Sequence, residues 1–422
     1  MLKKWYTKLI LIFGIVGPAI IAGTANNDAG GISTYSFAGS RFGYTMLWIL
    51  VLNLITLAVT QEIGIRLGAH TGKGLSALIR EQFGVRWAFF AIIALYIANL
   101  AVTISEFAGI AAAMEIFNIP RYLSVPLFAF VIWIILYKGS FKKVERFFLM
   151  ISLFFLVYIV SAVMAGPNWG EVLTSSLTPS FSSEPLYLFT LLGLMGTTIT
   201  PWGQFFIQSY IVDKGVSPEQ YKVEKWEVIF SAFFTCLIAA MIIITTKQVL
   251  FDHGIVVDSA EKAALSLQPV LGSLAKNIFG AGFFAASLLG AFVLPLTTSY
   301  SICEALGFEH GVDRTWKEAP TFYGMMAFTI IISALFVILS VFPLFHIMIF
   351  AQVVNGILLP VILIFLVIIL NRGQKIGLPK GSRIGRVFYN VITWEAIIRL
   401  SLVSILLVVI TLFPDLLMKL FG

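Results

Sequence analysis

The chain has 422 residues, 59% of them hydrophobic and only 12% charged, with a mean hydropathy of +0.96. A soluble domain carries about a quarter charged residues, so a water-soluble enzyme is excluded and a polytopic membrane protein is indicated. The net charge of +7 fits either a nucleic-acid partner or cytoplasmic loops, and the placement of the charges separates the two.

Eleven apolar segments of about 17 to 30 residues are long enough to cross hydrocarbon. They lie at 9–39, 44–65, 87–115, 122–138, 147–165, 185–212, 228–247, 277–305, 321–341, 344–370 and 395–414. The first runs too long for a secretory signal and lacks a small-residue cleavage site, so it is read as a retained span. With the N-terminus inside, 21 Lys and Arg residues fall on the cytoplasmic side, among them Lys3, Lys4, Lys8, Lys142, Lys143 and Arg146. Six fall outside, namely Arg41, Arg121, Lys247, Lys262, Lys276 and Lys419, and Arg399 lies within the last span. The positive-inside rule therefore predicts a cell-membrane protein with a cytoplasmic N-terminus and an extracellular C-terminus, and removes the need for nucleic acid. Cys236 and Cys303 sit in or beside apolar segments without metal-ligand spacing and read as inert core residues.

Polar interruptions of the spans carry the functional signal. The first contains GTANNDAGG, Gly23 to Gly31, and a carboxylate at mid-bilayer costs roughly 2.5–3.5 kcal/mol. Asp28 therefore requires a partner, and the only midplane cation is Arg399 in the outlying last span, which leaves a bound cation as the reading. The third span carries Glu106 and Glu115, and Glu62 and Glu304 stand at span ends. The sixth is interrupted by GLMGTTITPWGQFF, where Pro201 removes a helical hydrogen bond and frees carbonyls near Gly196 to Thr198. Breaks in spans one and six, five apart, match two inverted five-helix repeats whose discontinuous helices meet at a midplane substrate site.

The run Gly17 to Leu50 resembles the first helix and following turn of the Nramp divalent-metal transporters, whose signature there is Asp-Pro-Gly-Asn. RLGAHTGKGLSALIREQFG after the second span, SEFAGIAAAMEIFNIP in the third and AQVVNGILLP in the tenth are similar to the same family. The resemblance implies an all-α, LeuT-type 5+5 inverted repeat with broken helices 1 and 6 plus an eleventh helix. The repeats would span 9–165 and 185–370, with 395–414 as the extra helix, in one integral membrane domain and an expected monomer.

Departures from the family pattern bear on the substrate. Asp28-Ala29-Gly30-Gly31 keeps the charged ligand and loses the amide at Gly31, and Thr197-Thr198-Ile199-Thr200-Pro201-Trp202 stands where the family has Ala-x-x-Met-Pro-His. Losing the thioether removes a ligand for soft ions, leaving carboxylate, carbonyl, hydroxyl and water, which suit magnesium and manganese. Magnesium dehydrates reluctantly, and glycine and threonine leave room for its waters. The chain thus resembles the Nramp-related magnesium transporters more closely. Thr103 and Trp202 occupy positions where proton-coupled members carry an aspartate and a histidine, so a proton relay has little to work with. Membrane potential suffices for import, since a divalent ion gains roughly 4.6 kcal/mol per 100 mV.

The expected ligands are Asp28, Gly31, Thr197, Thr200 and Gln352, supported by Asn27, Trp202, Gln204, Glu106 and Thr103. Plainer roles stand beside these. Asn27 is expected to cap the second half of helix 1, Thr197 and Thr200 to back-bond within the helix unless they face the ion, and Trp202 to pack. Gln352 is interhelical glue or a ligand, and Glu106 a hydrogen-bond hub. No cofactor is expected beyond the transported ion. Rival functions are a proton-coupled manganese or iron transporter, a sodium-coupled amino-acid or amine symporter of the same fold, and, ranked lowest, a non-transporting sensor.

Overall fold

The computed structural model describes residues 27–138, 153–312, 314–379 and 383–412, and in these every regular element is helical. Residues 9–26 of the first span, 147–152 of the fifth and 413–414 of the eleventh lie outside the described residues. So do Asn26, the N-terminal lysines, Lys142, Lys143, Arg146 and Lys419. Seven helices among the described residues are long and apolar enough to cross a membrane singly, or eight if Leu153–Met164 and Trp169–Leu177, bent by 115°, count as one span. The difference from eleven has three sources. The first and fifth spans extend beyond the described residues, the fourth is a helix of 17 residues (Arg121–Tyr137), and the sixth is two helices.

In chain order, α1 (Ala29–Phe42) is the second half of the first span. It is followed by α2 (Leu47–Thr71), the short α3 (Leu75–Phe83), α4 (Val85–Ile116) and α5 (Arg121–Tyr137). After α6 (Val157–Met164) and α7 (Trp169–Leu177), the sixth span appears as α8 (Pro185–Thr198) and α9 (Pro201–Asp213). Then come α10 (Tyr221–Val249), the small α11 (Ala260–Leu265) and α12 (Gln268–Leu271), α13 (Ala275–Leu306), α14 (Pro320–Leu339), α15 (Leu344–Asn371) and α16 (Arg383–Leu412).

Two helices run well beyond their predicted bounds. α2 runs six residues past the predicted end at Ile65, because Arg66 stays on the helix and pairs with Glu62 one turn back at 2.6 Å. α16 begins twelve residues before position 395, and its Glu395 and Arg399 neutralise each other at 2.7 Å. Both free cysteines are buried in apolar surroundings, as expected.

The broken helices sit inside a cage. α4 packs along α13 and α15, α15 along α8, and α10 along α1 and α2. Glycines set the closest approaches. A Cβ on Gly196 of α8 would lie 2.9 Å from Gly356 Cα of α15 and closer still to the Gln352 carbonyl oxygen, so the two backbones touch directly. That contact fixes where α8 ends relative to Gln352.

Candidate metal site at the helix breaks

Asp28 is the first residue of the site and also starts α1. Its backbone is extended (φ −73°, ψ −179°), and Oδ1 accepts the Gly31 N–H at 2.7 Å, which makes Asp28 the N-cap. The cap was expected at Asn27. Asp28 takes it because its side chain reaches the amide three residues on, while Asn27 lies one position too early and is itself fully buried. Asp28 remains 8% exposed, and among the described residues no Lys or Arg forms an ion pair with it.

The sixth-span break supplies the opposite wall. α8 ends at Thr198, and Pro201 opens α9. The Thr197 carbonyl has no donor four residues on, because that residue is Pro201 and carries no N–H. Thr197 Oγ1 is buried without a hydrogen-bond partner. A Cβ on Gly31 would lie 3.1 Å from Thr197 Oγ1 and 3.3 Å from Asp28 Oδ1, so these three expected ligands converge. The Thr200 hydroxyl does not back-bond within its helix but caps α9 by accepting the Gly203 N–H at 3.2 Å, which leaves it a second lone pair.

α15 closes the site through Gln352. Its Oε1 accepts from Asn355 Nδ2 at 3.0 Å, and its Nε2 is buried without a partner. The amide presses on Gly30: a Cβ there would lie 2.8 Å from Gln352 Cδ and 2.9 Å from Ser105 Oγ, with Nε2 nearer still. Gln352 thus belongs beside Asp28, while its bond to Asn355 is intrahelical and not glue between helices.

Glu106 is not the hub expected of it. It is fully buried against Gly290 of α13, and neither carboxylate oxygen has a hydrogen-bond partner. The Ala29 amide and the Asp28 carboxylate interact with it electrostatically, and Gly109, one turn along α4, would place a Cβ 2.5 Å from that of Ala29. Thr103 donates to the Asn99 carbonyl at 2.7 Å and is consumed by its own helix. Glu115 pairs with Arg121 at 3.0 Å on the surface. Trp202 packs edge-on against Phe206, its Nε1 unpartnered, and Gln204 is 1% exposed with both amide atoms unpartnered.

Three contributors were missed from sequence. Ser105 Oγ is buried and unpartnered beside Gly30. Tyr35 borders Gly31, and its hydroxyl lies 3.3 Å from Thr198 Oγ1. The seven-residue interval from Asp28 puts Tyr35 two turns up the same face, a signal present in the sequence. Thr198 itself donates to the Leu194 carbonyl at 2.7 Å.

Among the described residues no three His, Cys, Asp or Glu side chains converge on a point. Instead a single capping carboxylate faces a helix C-terminus across neutral oxygens and amides, several of them orphaned. A bilayer-buried polar atom left unpaired is costly, and their concentration at one place makes this break the candidate site. These features define an all-α membrane protein of LeuT type. The chain belongs to the Nramp family: the model described as natural resistance-associated macrophage protein-like matches residues 19–410. It is 26% identical over 95% of its length to a divalent metal cation transporter MntH from Latilactobacillus sakei, covering 90% of that protein. A second MntH, from Caldanaerobacter subterraneus, is 27% identical over 66% of the chain and 68% of its own length. The fold is similar to that of the Eremococcus coleocola manganese transporter solved with an aromatic bis-isothiourea compound (TM-score 0.70, 20% identity, 94% of this chain and 86% of that one).

Proposed function

We propose that this protein imports divalent cations, magnesium first and manganese second, by alternating access driven by membrane potential without obligatory proton coupling. The carrying observation is the Asp28 cap. In discontinuous-helix transporters a bare helix N-terminus seats an anionic substrate group; here that seat is filled by the protein's own carboxylate, bound to Gly31 N–H at 2.7 Å. A substrate carboxylate is thereby refused and a cation favoured, which argues against an amino-acid symporter. The MntH relatives and the manganese transporter, as divalent-metal carriers, support a divalent metal as substrate.

Asp28 supplies the charge, the Thr197 carbonyl and the Thr197 and Thr200 hydroxyls act directly or through water, and the Gln352 amide, whose oxygen accepts from Asn355 and whose NH2 lies nearest Gly30, acts through water or by turning its oxygen to the ion. The missing side chain at Gly30 lets the Gln352 amide approach α1, and that at Gly31 lets Thr197 Oγ1 and Asp28 Oδ1 draw together, while the Thr200 hydroxyl, which accepts the Gly203 N–H, keeps a second lone pair for the ion or its water. A thioether does reach α1, but Met348 Sδ accepts from Ser33 Oγ at 3.5 Å. Oxygen donors and one carboxylate suit a hard, partly hydrated ion. The reading carries with it a monomer with a cytoplasmic N-terminus and an extracellular C-terminus, and repeats at 9–165 and 185–370 with 395–414 outside them.

One observation favours a second reading, a proton-coupled carrier: Glu106 lies beside Asp28 with both oxygens unpartnered. A competition series in proteoliposomes under fixed potential, comparing magnesium, manganese, iron, cadmium and calcium flux, tests the substrate. Iron or cadmium outcompeting magnesium by about tenfold, ~1.4 kcal/mol, overturns the hard-ion reading.

A further inference from the structure

Arg399 faces inward from α16, the helix outside both repeats, with its side chain 11% exposed. Beyond its pairing with Glu395, Nη1 donates to Asn53 Oδ1 at 3.1 Å and Nη2 to Thr56 Oγ1 at 3.3 Å, both on α2. A guanidinium only donates, so it fixes the Asn53 amide with its oxygen toward α16 and its NH2 toward α8. Asn53 Nδ2 then donates to the Leu194 carbonyl at 3.2 Å, one turn before the break. The same carbonyl accepts from Thr198 Oγ1 at 2.7 Å, which spends the only proton of that hydroxyl. The Tyr35 hydroxyl must therefore be the donor in its 3.3 Å contact with Thr198, and the Tyr35 ring borders Gly31 beside Asp28.

We infer that Arg399 is a positioning residue for the metal site, holding the end of α8 and the start of α1 in register through Asn53, the Leu194 carbonyl, Thr198 and Tyr35. Ionisable residues are expensive at membrane depth, and apolar packing would attach α16 to the bundle equally well. A two-armed guanidinium does something apolar packing does not: it orients one amide on α2 that grips the broken helix. The relay joins both half-helices to a helix that neither repeat contains. The inference rests on the metal site proposed above.

Mn2+ and Mg2+ titrations by calorimetry on the purified full chain in detergent, with the metal-free melting temperature measured alongside, provide the test. E395Q/R399M removes both charges together, so neither is left buried alone. That variant, Asn53→Leu and Tyr35→Phe are each expected to weaken Mn2+ and Mg2+ binding by about tenfold, the range for residues that orient metal ligands. Because the links are in series, E395Q/R399M combined with Asn53→Leu should bind no more weakly than Asn53→Leu alone. Arg399→Lys, with one compact ammonium for two acceptors, should restore binding only in part. A merely structural Arg399 lowers the melting temperature and leaves the affinity of folded protein unchanged; that outcome, or losses that multiply, overturns the inference. If E395Q/R399M does not fold, wild-type affinity in both Asn53→Leu and Tyr35→Phe overturns it equally. Asp28→Asn separates the two failures: unaltered binding there refutes the site, whereas lost binding there with intact relay variants refutes only the relay.

Discussion

Replacing Gly30 by alanine tests the site more sharply than removing a ligand, because the structure says which group must move. The added Cβ would stand 2.8 Å from Gln352 Cδ, whereas ordinary contact begins at 3.4 Å, so that carbon must withdraw by about 0.6 Å and the amide nitrogen by more. The atoms pressed, the Gln352 amide and Ser105 Oγ at 2.9 Å, are side-chain ends and not backbone, so the protein should fold with the amide displaced from Gly30, two residues from Asp28. Misplacing a group that positions a metal costs about 10- to 100-fold in affinity. Gly196→Ala is the contrasting control, since its Cβ meets the Gly356 backbone at 2.9 Å and the Gln352 carbonyl. Backbone does not step aside, and overpacking of this kind costs about 1–3 kcal/mol of stability. Metal-free thermal unfolding together with Mg2+ calorimetry separates the two: Gly30→Ala should lose affinity with little change in melting temperature, and Gly196→Ala should melt early. A folded Gly30→Ala protein with wild-type Mg2+ affinity would remove Gln352 from the site.

Other perturbations have equally defined outcomes. Asp28→Asn keeps the α1 cap, because asparagine caps as well as aspartate, and should lower Mg2+ affinity by at least about a hundredfold, ~3 kcal/mol; uptake at the wild-type rate would refute the charge role. Thr200→Met with Gly31→Asn should raise Cd2+ binding relative to Mg2+ while costing about 1 kcal/mol of stability, since the Thr200 cap on Gly203 N–H is lost; an unchanged ion ranking, read by competitive flux, would sink the ligand alignment. Magnesium influx into liposomes at negative-inside potential should rise with potential and leave lumenal pH unchanged. Acidification in fixed ratio to influx, abolished by Glu106→Gln, would instead establish the proton-coupled reading.

The sequence exposes the positions where chain chemistry is local. Length and hydropathy reveal the spans, and a proline after three threonines reveals the break at α8, because lost hydrogen bonds depend only on neighbours. Asp28 stands out because a charge in hydrocarbon has to be explained. What stays hidden is helix rotation. These helices are apolar on nearly every side, so no polar stripe announces which face meets which neighbour. For that reason Glu106 reads as a hub and is found without partners, and Arg399 reads as peripheral and is found gripping α2. The exchange between Asn27 and Asp28 as cap turns on a single residue of register, which only the backbone geometry at the break decides.

The described half-helices also limit how tightly the site holds its ion. The break presents the positive ends of α1 and α9 and the negative end of α8, each worth about half a charge. In the proposed site the ion would owe its attraction chiefly to Asp28, a side chain that is also bound to the Gly31 amide of α1 at 2.7 Å. A second carboxylate with the same access would deepen the well and retard release. On the proposed reading, with Thr197, Gln352 and water as neutral donors, the ion would keep part of its hydration and the well would stay shallow. Any movement that draws the first turn of α1 away from α8 takes Asp28 with it, because the cap ties that carboxylate to the helix it starts. On the proposed reading, the charge that attracts the ion would thus travel with the element whose displacement would open the site.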